Sequence, residues 1–113
     1  MKYVIAIIQP DRLEEVLDAL EERSIHLVTV SDVMGRGRQK GVAEIYRSHV
    51  EPGNLLRKVK LEIAVNDDYL GRALEAIRAG ARTGAIGDGK VFVLGLEQCL
   101  RIRTGEEGSA AIG

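Results

Sequence analysis

The chain carries an internal repeat, and the repeat constrains the fold more than any other feature. Sliding the sequence along itself by 57 positions lays QPDRLEEVLDAL (9–20) over NDDYLGRALEAI (66–77). Leu13 then falls on Leu70, Leu17 on Leu74, Ala19 on Ala76 and Leu20 on Ile77. In both copies the apolar residues recur at i, i+3, i+4 and i+7, the spacing of one helix face. The spacing predicts helices over 11–23 and 68–80, the first with Glu14, Glu15, Asp18, Glu21 and Glu22 on its wet side. Pro10 and Asp11 suit the first helix start, and Asp67 and Asp68 offer caps to the second.

Strand signals flank each helix. YVIAII (3–8) is a short β-branched run, HLVTVSDVM (26–34) follows the first helix, VKLEIAV (59–65) alternates apolar and polar, and VFVLGLEQ (91–98) follows the second helix. Two βαβ units in tandem define an α+β fold. It is the ferredoxin-like βαββαβ plan, a four-stranded antiparallel sheet with two helices on one face. A long polar loop, roughly 36–57, separates strands two and three, and a connection of that length points to an arm that engages a partner or ligand.

At 113 residues the chain is one domain, 1–113, with one core. Tryptophan is absent and Phe92 is the only phenylalanine, so the core must be aliphatic. Cys99 lies in an apolar run and reads as a small core residue. A net charge of −1 argues against a general nucleic-acid binder. No apolar run of membrane-spanning length and no leader pattern is visible, so a soluble cytoplasmic protein is expected. The sheet has apolar residues on both faces while the helices cover one. The other face then calls for further copies of the chain, most simply in a closed ring.

Glycines gather at 35–41, 83–89 and 104–108. From Gly84 to Lys90 the chain spells G-x-x-x-x-G-K, the phosphate-cradling pattern of nucleotidases. Such a loop runs from strand to helix and ends in a Ser or Thr that meets magnesium. Here the predicted order is helix, loop, strand, and Val91 takes the hydroxyl position. The nucleotidase reading fails, but the ingredients of anion binding remain. Gly84, Gly87 and Gly89 can offer backbone N–H groups, Lys90 a point charge, and Arg101 and Arg103, if extended, two guanidinium forks on one side. The competing reading pairs those arginines with Glu106 and Glu107. His26 and His49 have no partner motif that would make them catalytic.

GRGRQKG (35–41), EIYR (44–47), KVKLEI (58–63), ARTGAIGDGKVFV (81–93) and IRTGEEG (102–108) together resemble the PII signal-transduction proteins along essentially the whole chain. That resemblance implies a homotrimeric, non-enzymatic regulator in which ATP and ADP compete for clefts between subunits. Residues 37–55 are similar to the family's T-loop, 82–90 to its B-loop and 99–113 to its C-terminal loop. By the same resemblance Gly87, Asp88, Gly89 and Lys90 hold phosphates with Arg38, Arg101 and Arg103, while Thr29, Gly35, Glu62 and Ile86 surround base and ribose. Gln39 is implied to coordinate a Mg²⁺ that bridges ATP and 2-oxoglutarate, and Lys58 to contact 2-oxoglutarate. Lys40, Glu44, Tyr46, Arg47 and Glu51 become the contacts with a target protein, a transporter or metabolic enzyme. No nucleic acid is implied, and the membrane is met only through a transporter partner.

Three positions and the loop tip depart from the family pattern. Glu51 stands where uridylylated members carry tyrosine, and a carboxylate cannot take that modification. Gln9 stands where a basic residue is common, and Arg36 where an aromatic is usual. The loop tip SHVEPGNLL (48–56) differs from forms that plug ammonium channels. Two other readings follow: an adenylate sensor answering another signal, such as bicarbonate, a metal or the AMP/ADP balance, for a different transporter, and a slow ATPase.

Overall fold

The computed structural model describes residues 1–37, 50–51 and 55–113. Strands are β1 (Lys2–Ile8), β2 (Thr29–Gly35), β3 (Val50–Glu51), β4 (Leu55–Val65) and β5 (Gly89–Gly95), and helices are α1 (Leu13–Glu22) and α2 (Leu70–Ala81). The sheet runs β2-β4-β1-β5, all antiparallel, with the two-residue β3 paired to the start of β4. This is the ferredoxin-like order predicted from the repeat.

The repeat extends to the hydrogen bonds. Each helix is entered through a short 3-10 turn, Pro10–Arg12 and Asp67–Tyr69, closed by Arg12 N–H to Gln9 O (3.0 Å) and Tyr69 N–H to Asn66 O (2.9 Å). Gln9 and Asn66 occupy the same repeat position. The expected side-chain caps do not form. Neither Asp11 nor Asp67 bonds a first-turn amide, because the tight turn has already taken up that end of the backbone. Asp67 instead accepts from the amino terminus at 2.9 Å.

Core formation follows the alternation of the two central strands. Val4, Ala6 and Ile8 on β1 and Val59, Leu61, Ile63 and Val65 on β4 point to the helices and are buried against Val16, Leu20, Ala73, Ala76 and Ile77. Burying each large aliphatic side chain contributes about 1.5–3 kcal/mol. The helices close tightly because Gly80 has no side chain: a Cβ there would lie 2.6 Å from Val16 Cα. As expected, the buried cluster is aliphatic.

Several boundaries differ from the sequence reading. The second strand begins at Thr29 rather than near residue 26, because Ile25 turns inward to the core after Ser24 takes a positive φ of 62°. The third strand begins at Leu55, which shortens the loop before it. The last strand begins at Gly89 and ends at Gly95, where its pairing with β1 runs out. Cys99 is half-buried and lines a cavity, since it lies beyond that strand and not within it. Among the described residues no helix is long and apolar enough to cross a membrane.

Candidate functional site

The glycine loop joins α2 to β5, so the order helix, loop, strand holds and the nucleotidase arrangement is ruled out. Gly84, Gly87 and Gly89 all have positive φ, 90°, 103° and 108°. The turn that they make is clasped from inside. Asp88 accepts from the amides of Thr83 (2.8 Å) and Gly84 (2.9 Å), and the Thr83 hydroxyl accepts from the amide of Ala85 (3.2 Å). The Gly84 amide, read from sequence as open to an anion, is therefore already engaged by a carboxylate of the loop itself. A second clasp comes from outside: the buried Gln9 donates from Nε2 to Gly87 O at 2.7 Å. Gly89 lies so close to β1 that a Cβ would stand 1.8 Å from Ile7 O. Ile86, 77% exposed, projects from the loop tip.

Register places the remaining residues. Cross-strand partners share a sheet face, so Thr29, Glu62, Ile5 and Phe92 form one row across the face away from the helices, and Ser31, Lys60, Ile7 and Lys90 form the next. Thr29 and Lys90 thus lie on opposite edge strands, three strand spacings or about 14 Å of sheet width apart. They open into different depressions. Asp88, Gly89 and Lys90 border a groove of about 360 Å³ beside α2, on the helix side of the sheet and so not on the face to which the register assigns the Lys90 side chain, whereas Thr29, Glu62 and Cys99 line a cavity of about 800 Å³ that Ala111 and Gly113 also border. Gly35 ends β2 beside Lys58, which is 9% exposed, and a Cβ on Gly35 would sit 3.7 Å from Lys58 Cγ.

Glu62 is held on two sides. The Tyr3 hydroxyl donates to its Oε2, and Lys60 Nζ lies 3.8 Å from its Oε1. The hydrogen bond to that carboxylate, and then burial, push the Tyr3 hydroxyl above the ordinary tyrosine range. Tyr3 was not among the residues singled out from sequence. Only the β1–β4 register, which sets Tyr3 diagonally from Glu62, brings it in.

Arg101 and Arg103 do not lie in extended chain. The segment turns at 102–104, with Gly105 N–H bonded to Arg101 O at 2.8 Å and Gly105 at φ 76°, so the two guanidiniums are not set side by side by strand alternation. Arg101 instead forms an ion pair with Glu106 at 3.0 Å and donates to Ala111 O and Gly113 O at 3.3 and 3.1 Å. The pairing alternative holds for Arg101, which ties the tail over the larger cavity. Arg103 is exposed two residues on. His26 pairs with Glu21 at 2.8 Å on the surface, away from the glycine loop. Arg38, Gln39, Lys40, Glu44, Tyr46 and Arg47 lie outside the described residues, as does His49, and of Glu51 only the backbone is described, paired with Leu55.

A family profile described as Nitrogen regulatory protein P-II matches residues 1–106. Among similar proteins, Nitrogen regulatory protein P-II 2 of Methanothermobacter thermautotrophicus is 49% identical over 112 residues, covering 99% of this chain and 97% of the relative. Nitrogen regulatory protein P-II of Bradyrhizobium diazoefficiens is 51% identical over 112 residues, 99% of this chain and all of the relative. Nitrogen regulatory protein GlnK1 of Methanosarcina mazei is 52% identical over 114 residues, 99% of this chain and 97% of the relative. With its fold, its glycine loop and this full-length similarity, the chain belongs to the nitrogen regulatory protein P-II family, whose members are signal-transduction proteins and not enzymes.

Proposed function

We propose that the protein is a cytoplasmic homotrimeric sensor of ATP and ADP that reports to a target protein, a transporter or nitrogen-metabolism enzyme, through the segment 37–55. The observation that carries the reading is the separation of its binding residues. Thr29, Glu62 and the Arg101 turn belong to one side of the chain, and Gly87, Gly89 and Lys90 to the opposite sheet edge. A ring in which the β5 edge of one copy meets the β2 side of the next joins the two groups in one cleft. The apolar exposure of β5, with Phe92 49% and Leu94 49% accessible, supplies the surface that such a contact buries.

In that cleft Lys90 brings a point charge to the phosphates, and the backbone of Gly87 to Gly89 lets them approach closely. Asp88 contributes through its backbone and by shaping the loop, its carboxylate being turned to Thr83 and Gly84. Arg38 and Arg103 complete the charge balance, and Ile86 packs against the base. Mg²⁺ would be held by Gln39 with ATP and 2-oxoglutarate oxygens. Lys58 would receive the 2-oxoglutarate carboxylate. Ligands that favour different arrangements of 37–55 then bias which surface the target meets.

Calorimetry with ATP, ADP and 2-oxoglutarate tests the reading. Lys90→Ala should weaken ATP binding about ten- to a hundredfold, as loss of a charged hydrogen bond does. Unchanged ATP affinity would remove the phosphate assignment. One observation favours a second reading, an adenylate sensor with a different co-signal. Gln9, where a basic residue is usual, is buried and its amide is committed to Gly87 O. Full ATP binding with no Mg²⁺-dependent 2-oxoglutarate heat would select that reading.

A further inference from the structure

Gln9 and Lys58 are the buried polar side chains among the described residues, and Gln9 is fully so. Its place is fixed from both sides. It precedes Pro10, which favours the extended backbone observed, φ −69° and ψ 139°. Its carbonyl is bonded by Arg12 N–H at 3.0 Å. The side chain then reaches across 78 positions of sequence to donate to Gly87 O at 2.7 Å.

The acceptor is a peptide that needs holding. Gly87 has φ 103°, and a glycine leaves the rotation of the following peptide plane almost unrestricted. In a planar trans peptide the carbonyl and the next N–H point opposite ways. With Gly87 O drawn toward Gln9, the Asp88 N–H is turned to the side away from it. Gly89 is next seated against Ile7 O, and Lys90 enters the sheet opposite Ile7. The first limb of the loop is closed by Asp88 on the amides of Thr83 and Gly84, so an anion must be received by the second limb. That is the limb Gln9 holds.

We propose that Gln9 is a positioning residue for phosphate recognition: its buried amide fixes the Gly87–Asp88 peptide in the orientation that lets the second limb of the loop meet an anion. The inference rests on the adenylate reading of the glycine loop. It predicts a defect confined to phosphate binding, since Gln9 lies beneath the loop and not at the base or ribose.

The test compares MgATP and adenosine by calorimetry on the full-length protein, with melting temperature followed in parallel. Gln9→Met keeps length and bulk without a donor, and Gln9→Leu removes the donor with a different apolar shape. Either variant should lose about tenfold in ATP affinity, the effect of one buried hydrogen bond to a positioning group, with adenosine affinity within about twofold of wild type. Retained ATP affinity overturns the inference. So does a parallel loss of ATP and adenosine, which would mean that Gln9 merely stabilises the fold. Lys90→Ala is the reference. If it too binds ATP normally, the adenylate reading has failed, and if it alone is defective, only the role of Gln9 has.

Discussion

The two central strands and the two edge strands of the long sheet are built for different neighbours. β1 and β4 are paired on both sides and bury every second residue, from Val4 to Ile8 and from Val59 to Val65, under the helices. β5 carries an equally apolar run, Val91 to Leu94, yet all four residues remain exposed, as do Val30 and Met34 on β2. Val91, Val93, Val30 and Met34 face the helix side but stay exposed because two helices cover the central pair and not the edges, whereas Phe92 and Leu94 lie on the face that no helix covers. The difference separates what holds one chain together from what it offers to another, and the proposed ligand groups lie with the second.

Three substitutions test that division, from largest to smallest effect. Leu61→Ala removes a fully buried side chain at the centre of β4 and should cost about 2–5 kcal/mol in denaturant unfolding. A loss no greater than a surface change would show that the core is not centred there. Phe92→Ser acts on an edge. Its cost within one chain should stay near 0.5 kcal/mol, but sedimentation should show the assembly shifting toward single chains, with ATP affinity falling in step. Normal assembly would break the assignment of β5 to a contact between copies.

Asp67→Asn should have the smallest effect. The amino terminus holds the Asp67 carboxyl below its usual range, chiefly through their hydrogen bond. A depressed folded-state value stabilises the fold above the ordinary carboxylate pKa and loses that contribution as pH falls through the depressed one. The variant should therefore differ slightly from wild type at neutral pH and converge with it in acid. Because the pair is exposed, a large neutral-pH loss would point to a different role for Asp67.

Much of the fold could be read from the sequence because it rests on local periodicity. The repeat fixed both helices, and Gln9 and Asn66 even accept equivalent turn-closing bonds. What escaped depended on contacts between distant segments. The caps failed because 3-10 turns replaced them, and the arginine pair failed because Gly105 lets the chain reverse, a tertiary preference that alternation cannot see. At the glycine loop, the residue types were legible as anion-binding chemistry. The Asp88 clasp and the hand of Gln9 beneath Gly87 were not, since each depends on where the loop folds back. Tyr3 beside Glu62 required the strand register.

The central claim, that each adenylate site is shared between copies, is tested most directly by mixing two defective chains. Lys90→Ala damages the glycine-loop side, and Arg103→Ala damages the side closed by the C-terminal turn. Each alone should bind ATP weakly. Unfolded together and refolded into mixed assemblies, they should regain tight ATP binding at those clefts where an intact Lys90 faces an intact Arg103 from the neighbouring chain. If the mixture binds no better than the average of the two variants, both halves of the site lie within one chain and the account is wrong.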